Sequence, residues 1–276
     1  GSGLLWNSTE LMTALDNLFT KVRAENRAAL IAYIPAGFPS QAGCQRVIAA
    51  FIAGGVDAIE IGFPYSDPVM DGPTIQAAAV TSLENGTGAA EVFQALATAS
   101  AQVPAVVMTY WNPIEKYGVN EFSAAIAANG GSGVITPDLT IEESQGWISA
   151  TNNSAINPIY VVAPSTSDAR LAQVTAKCSG FVYVASVMGV TGTRTSVSTG
   201  AADLVARVRK VTSLPIAVGL GVSTREQARG VAVYADGVIV GSAFIKALQD
   251  APDEESGLAA VTELARELAK GVREGR

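Results

Sequence analysis

Residues 57–73 read DAIEIGFPYSDPVMDGP, a short β-branched run followed at once by a loop rich in proline, glycine and carboxylates. Side chains alternate along a strand, so Ile59 and Ile61 share one face while Ala58 and Glu60 share the other. The isoleucine face fits an apolar layer against helices, which leaves Glu60 on the opposite face at the carboxyl end of the strand. The stretch therefore predicts a buried strand that ends beside a functional crevice.

Seven more short runs of this type recur along the 276 residues, with helical patterns between them. Near-continuous Val and Ile content is typical of strands buried on both faces, and alternation with helices indicates parallel pairing through right-handed crossovers. Eight such units predict an α/β fold, a (β/α)8 TIM barrel with an extra N-terminal helix, and an open doubly wound sheet is the alternative. The eight runs are 29–34, 57–61, 104–109, 133–136, 158–163, 181–186, 214–219 and 236–241.

Amphipathic helices are expected at both ends of the chain, and Ala-rich helices are expected between strands. The sequence contains no linker and no low-complexity tract, which predicts a single domain at 4–276, and Gly1-Ser2-Gly3 is typical of a cloning remnant. The N-terminal stripe is Leu11, Leu15, Leu18 and Val22, the C-terminal stripe is Leu258, Val261, Leu264, Leu268 and Val272, and the Ala-rich segments are 41–54, 89–102, 120–129 and 201–212.

The composition argues against several classes of protein. Apolar residues make up 49% of the chain, but no apolar run approaches the roughly 18 residues that span a bilayer, so a cytoplasmic location is expected. The net charge of -7, without a Lys/Arg run, argues against a nucleic-acid or membrane-surface binder. A small anionic ligand is still possible because backbone N–H groups bind phosphate whatever the net charge.

The chain contains no histidine and only two cysteines, which lie far apart. Catalytic triads and His-metal mechanisms are thereby excluded, and Cys44 and Cys178 do not have the spacing of zinc ligands. We expect both thiols to be buried small residues and expect no metal site. Proton chemistry would then depend on carboxylates, Tyr, Lys or backbone groups.

Three carboxylates lie in the opening stretch. Glu60, at a strand end, is expected to be partly desolvated, which would raise its pKa and allow it to act as an acid near neutral pH, although a structural carboxylate is the alternative. Asp67 and Asp71 lie in a Pro/Gly-rich loop, where aspartate is usually a turn or cap residue. Asp71 or Thr74 is a candidate cap for the helix that follows.

Two glycine-containing strand ends predict a phosphate site. Gly219-Leu220-Gly221 ends the seventh run, before a capping-box pattern at 223–226, and Gly241-Ser242 ends the eighth run. In barrels, the loops after strands seven and eight are the usual phosphate site. A third loop, 188–194, contains Gly189 and Gly192 and is a candidate lid over the ligand.

The motifs GFPYSDPVMDGPTIQ (62–76), GVTG (189–192), VGLGVST (218–224) and DGVIVGSA (236–243), in this order, make the chain similar to the tryptophan synthase alpha chain family over essentially its whole length. The resemblance implies a lyase that cleaves indole-3-glycerol phosphate to indole and glyceraldehyde 3-phosphate. It implies no cofactor on this chain, and indole would pass to a beta chain that carries pyridoxal phosphate (PLP), within an α2β2 heterotetramer.

The same resemblance implies roles for individual residues. Glu60 corresponds to the acid that protonates the indole ring carbon, and Asp71 corresponds to the base that takes the proton of the ring nitrogen. Tyr33, where many members carry Phe, and Val187, where some carry Arg, depart from the family pattern. The other implied positions are Gly192, Gly221, Gly241 and Ser242 for phosphate, Tyr33, Tyr110, Tyr183 and Thr191 for the pocket, and Pro64, Asp67 and Pro68 for coupling to the beta chain.

Other functions remain open at this level. The chain could be another phosphate-binding barrel enzyme, such as an indole-glycerol phosphate synthase or a sugar-phosphate isomerase. It could also be a non-catalytic subunit that only activates a partner, or a lyase that releases indole without a partner.

Overall fold

The computed structural model describes residues 12–186 and 199–276. The proposed cloning remnant 1–3, Leu11 of the N-terminal stripe and the loop 188–194 with Thr191 and Gly192 lie outside the described residues, as does Val187.

All eight predicted strand runs form one parallel sheet, in which the backbone hydrogen bonds define nine strand segments. Their spatial order is β5-β4-β3-β2-β1-β9-β8-β7-β6, so consecutive strands are neighbours except for β5 and β6, which lie at the two ends of this order, and β1 pairs with β9. The strands are β1 (Ala29–Pro35), β2 (Ala58–Gly62), β3 (Ala105–Met108), β4 (Gly133–Ile135), β5 (Asn157–Ile159), β6 (Val161–Val162), β7 (Val182–Ala185), β8 (Ile216–Gly219) and β9 (Gly237–Val240).

The sheet closes into a barrel at Tyr160, which alone separates β5 from β6. The Ile159 carbonyl accepts the Thr136 N–H at 3.1 Å on one side, and the Tyr160 carbonyl accepts the Tyr183 N–H at 3.1 Å on the other. The two segments therefore form one interrupted fifth strand. The eight-stranded barrel is confirmed, and the open doubly wound sheet is wrong because the edges of the sheet are joined through this strand.

Helices cover the outside of the barrel. The helix expected at 41–54 is found with those bounds, and the other predicted helices agree to within about three residues. Their bounds are α1 (Ala14–Ala24), α2 (Gln41–Gly54), α3 (Pro73–Glu84), α4 (Ala89–Ser100), α5 (Trp111–Tyr117), α6 (Val119–Ala128), α7 (Gln145–Asn153), α8 (Asp168–Thr175), α9 (Thr199–Arg209), α10 (Arg225–Ala232), α11 (Ser242–Asp250) and α12 (Glu254–Glu274).

Two cap predictions are wrong. Helix α3 begins after Gly72 with Pro73 in its first turn, and no side chain caps it. Proline needs no N–H partner at this position, so neither Asp71 nor Thr74 is required as a cap. Helix α10 is capped by Thr224, whose hydroxyl accepts the Gln227 N–H, one residue later than the predicted box.

The buried side chains form two cores on opposite sides of the sheet. Ile59 and Ile61 lie in the outer core between strands and helices, as the alternation predicts, whereas Ala58 lies in the inner core of the barrel. Leu15 and Phe19 of α1 pack into the inner core against the amino-terminal strand ends, and Phe19 contacts Phe181 at a centroid distance of 5.7 Å. Each such fully buried side chain contributes roughly 1.5–3 kcal/mol. Helix α1 thus closes the bottom of the barrel and leaves the carboxyl-terminal mouth as the open end.

Candidate active site

A cavity of about 340 Å³ lies at the carboxyl-terminal mouth of the barrel. It contains seven of the predicted site residues: Tyr33, Glu60, Asp71, Tyr183, Gly221, Gly241 and Ser242. These residues come from β1, β2 and β7, from the loops after β2, β8 and β9, and from the first residue of α11. Closure of the barrel therefore brings together positions that are far apart in sequence.

Glu60 projects from β2 into this cavity, opposite Tyr33 in the β1–β2 register. Its side chain is only 1% exposed, and its Oε2 atom has no hydrogen-bond partner. Burial raises the pKa of Glu60 to about 8, and the negative charge of Asp71 adds to this effect. Glu60 is therefore protonated at neutral pH and has a proton to donate.

Asp71 reaches the same cavity from the loop between β2 and α3. Burial raises its pKa, while the hydroxyl of Tyr110 interacts with the carboxyl and lowers it. The same hydroxyl accepts the Met70 N–H at 3.0 Å. Tyr110 is buried and is not among the residues that line the cavity, so this predicted pocket residue supports the loop that carries Asp71 instead.

Tyr33 and Tyr183 reach across neighbouring strands because glycines leave room for their rings. A Cβ atom on Gly62 would lie 2.4 Å from the Tyr33 hydroxyl, and one on Gly219 would lie 2.6 Å from the Tyr183 hydroxyl. Both rings therefore require glycine at the end of the adjacent strand. Both tyrosines line the cavity, and aromatic walls suit a flat aromatic ligand.

The predicted phosphate positions form another part of the cavity wall. Gly221 adopts a φ of +83°, and a Cβ atom there would meet nothing within 4 Å. Gly241 precedes α11, which begins at Ser242, without a side-chain cap. The first N–H groups of a helix have no intrahelical acceptor, so this end of α11 can bind an anion.

The predicted partner-coupling residues differ in accessibility. Asp67 is exposed, Pro68 is half-buried and Pro64 is buried, so Pro64 is not on the accessible surface of this loop. Val69 and Met70, which sequence reasoning missed, are 78% and 58% exposed. An apolar pair inside a Pro/Gly-rich loop was the signal that could have identified them.

The apolar walls of the cavity were also missed. Met108 at the end of β3 and Ile239 in β9 share the cavity with Glu60. The alternation rule that placed Glu60 could have found them, because Met108 is in register with Gly62 and Ile239 with Ile31. Both of these positions lie on the same face of the sheet as Glu60. The other unpredicted lining residues are Met70, Gly72, Ile75, Ala185, Ser186, Gly219 and Leu220.

Within residues 12–186 and 199–276, no group of three His, Cys, Asp or Glu side chains is arranged to hold a metal ion. Cys44 and Cys178 are free and buried, and burial raises their pKa values to about 11 and about 12. In the same described segments, no helix has both the length and the apolar character needed to cross a membrane.

A sequence model of the family described as "Tryptophan synthase alpha chain" matches residues 19–273. The chain belongs to the tryptophan synthase alpha chain family. It is 54% identical to the tryptophan synthase alpha chain of Thermobifida fusca, over 95% of this chain and 98% of that protein. It is 53% identical to that of Streptomyces avermitilis, over 95% of each chain.

Solved structures agree with the family assignment. Mycobacterium tuberculosis tryptophan synthase matches with a TM-score of 0.87 and 46% identity, over 95% of this chain and 99% of that chain. A mutant tryptophan synthase alpha-subunit from Pyrococcus furiosus matches with a TM-score of 0.80 and 32% identity, over 88% and 98%. As a tryptophan synthase alpha chain, the protein catalyses the cleavage of indole-3-glycerol phosphate, and it has a beta chain as its partner. These relationships support this function and not an indole-glycerol phosphate synthase or a sugar-phosphate isomerase.

Proposed function

We propose that Glu60 is the general acid and Asp71 the general base of the cleavage reaction in the barrel mouth. The observation that carries this proposal is the buried Glu60 carboxyl, which has an unpartnered Oε2 atom and a pKa of about 8 inside the cavity that also contains Asp71. A carboxyl group without a protein partner is available to a substrate. Two carboxyl groups with different surroundings can hold different protonation states at the same pH.

The reaction needs one acid and one base. Glu60 gives its proton to the ring carbon that bears the glycerol side chain, while Asp71 draws the proton from the ring nitrogen. The carbon–carbon bond then breaks, its electron pair stays with the ring, and the glycerol carbon becomes an aldehyde as its hydroxyl proton leaves. Glu60, now a carboxylate, can accept that proton, and the proton held by Asp71 returns to the ring nitrogen.

The remaining site residues bind and orient the substrate. The indole ring would lie between Tyr33 and Tyr183, with Tyr110 behind the loop of Asp71. The phosphate would bind at Gly221, Gly241 and Ser242, where the end of α11 and the glycine backbone offer N–H groups. Thr191 and Gly192 are included on the family resemblance alone. Binding energy from the phosphate, remote from the breaking bond, would hold the ring in position.

The partner assignments extend the same proposal. This chain would act without a cofactor of its own, and PLP would belong to the beta chain in an α2β2 heterotetramer. Asp67 and Pro68 would couple the catalytic loop to that partner, with Pro64 acting from beneath the surface. Two free, buried cysteines suit a reducing compartment, and we propose the cytoplasm.

Release of indole from indole-3-glycerol phosphate by the purified chain tests the roles of the residues. Asp71→Asn should lower turnover by about 10²- to 10⁴-fold, because the isosteric amide cannot take a proton. Asp67→Asn, the same change in the same loop, is the control and should keep the turnover of the free chain. A correctly folded Asp71→Asn variant with wild-type turnover would show that Asp71 is not the base.

A further inference from the structure

A carboxylate outside the cavity is connected to the catalytic loop through one turn of the chain. Asp138 lies in the loop after β4, and its Oδ1 atom accepts the backbone N–H of Trp111 at 2.9 Å. Trp111 is the first residue of α5, and Tyr110 immediately precedes it. Neither Asp138 nor Trp111 is among the residues that line the cavity.

Tyr110 holds the catalytic loop through several contacts. Its hydroxyl accepts the Met70 N–H at 3.0 Å and interacts with the Asp71 carboxyl, and its ring packs on Tyr65 at a centroid distance of 5.4 Å. The Tyr110 backbone is itself held on both sides. The Thr109 hydroxyl donates to the Tyr110 carbonyl at 3.0 Å, and Asp138 binds the next N–H along the chain.

We propose that Asp138 is a positioning residue for the cleavage reaction: it fixes the Tyr110–Trp111 turn, and this turn fixes the Asp71 carboxyl against the substrate. The inference rests on the proposed role of Asp71 as the base. A catalytic group must be held close to its productive geometry, and a shift of about 1 Å can lower the rate by up to two orders of magnitude. Because Asp138 is exposed and water competes for its contact, its own effect is smaller.

A carboxylate at a helix N-terminus can also act only as a cap, which stabilises the helix without affecting the reaction. The pH profile distinguishes the two roles. The groups that face Asp71 are Glu60 from β2, Tyr33 from β1, Tyr183 from β7 and Tyr110 from the turn before α5. Of these, the Tyr110 hydroxyl lowers the pKa of Asp71, so displacement of the turn should raise it.

The first test compares Asp138→Ala with Asp138→Asn, since the amide oxygen of asparagine can still accept the Trp111 N–H. The measurement is kcat for indole release as a function of pH. The kcat of the alanine variant should be roughly three- to tenfold lower than that of wild type, which is the effect expected for one hydrogen bond. The decrease of its kcat at low pH, the low-pH limb of the profile, should move to higher pH. A base with a raised pKa becomes protonated at a higher pH as the pH falls. The asparagine variant should stay within about twofold of wild type, with an unmoved limb.

A second pair of variants removes the donor of the Trp111–Asp138 hydrogen bond instead of its acceptor. This pair tests the proposal even if Asp138→Ala does not fold. Trp111→Pro deletes the N–H at a helix position that tolerates proline, and the backbone of Tyr110, with φ -68° and ψ 162°, suits a following proline. Trp111→Ala removes the same ring but keeps the N–H. The proline variant should show the lower kcat and the displaced limb relative to the alanine variant.

The outcomes separate this inference from the role of Asp71. If Asp71→Asn is inactive but both pairs give equal kcat values and equal low-pH limbs, Asp138 is a cap only and the inference is overturned. If Asp71→Asn remains active, the assignment of the base fails first. Displacement of the limb in Asp138→Ala and Trp111→Pro, but not in their matched controls, is the result we expect.

Discussion

At the scale of single residues, burial and the neighbouring Asp71 charge act in the same direction on Glu60 and raise its pKa to about 8. The direction in which Glu60 points could be predicted from the alternation of side chains along 57–61. Its complete burial could not, because the walls around it come from β1, β3 and β9 and meet only when the barrel closes. The sequence also could not show that Oε2 lacks a partner, since that depends on every side chain within reach.

The raised pKa of Glu60 makes the stability of the protein depend on pH. The folded state holds a proton that the unfolded state, with a pKa near 4.5, releases. The stability from this protonation is therefore fully present below about pH 4.5 and is lost as the pH rises through about 8. Glu60→Gln has no such proton, so at about pH 9 its melting temperature should exceed that of wild type by about 4 °C or more. Both melting temperatures can be measured by calorimetry at about pH 9 and at about pH 4.5. If wild type and Glu60→Gln have the same melting temperature as each other at both pH values, this account of burial is contradicted.

At the scale of helices and strands, the period of the apolar pattern predicted the long elements well. Helices α5, α7 and α8 were not predicted, because they span only seven to nine residues and contain few apolar positions from which to read a period. The break at Tyr160 was also not predicted, since the run 158–163 reads as one strand. The single-domain boundaries at 4–276 stay a prediction.

The loops after β8 and β9 give the next prediction, which concerns the phosphate site. At Gly221 a side chain would enter open space at positive φ, which asparagine and aspartate both tolerate better than most residues. Gly221→Asp and Gly221→Asn differ only in charge. Titration with glycerol 3-phosphate should therefore show at least about tenfold weaker binding to the aspartate variant, because its carboxylate repels the phosphate. Equal affinities for the two variants would place the anion elsewhere.

At the scale of the whole molecule, we expect the beta chain to contact the exposed part of the loop that carries Asp71. The rings of Tyr65 and Tyr110 pack on each other, while Asp67 and Val69 are exposed and Met70 is both exposed and part of the cavity wall. A partner that stabilises the closed loop must also bind more tightly when a substrate analogue is present, since the coupling is reciprocal. Sequence motifs identified the loop but not its outward face, which depends on the packing of the loop against the turn before α5.

We therefore expect Asp67→Ala to reduce activation by a cognate beta chain by at least about fivefold, a typical coupling, while the activity of the free chain changes little. Asp203→Ala, which removes an exposed carboxylate from α9, is the matched control. Indole release with and without the beta chain gives both values. Equal stimulation of the two variants would remove Asp67 from the coupling surface.

The pH dependence of kcat/KM for indole release tests most directly the claim that Glu60 is an acid kept protonated by burial. In wild type, kcat/KM should fall about tenfold per pH unit above about pH 8, because the free enzyme then loses the proton that the ring carbon must receive. In Glu60→Gln, kcat/KM should be lower by about 10²- to 10⁴-fold and should lack this high-pH limb. A wild-type profile that stays flat to about pH 10, or a Glu60→Gln variant within about tenfold of wild type, would contradict the claim.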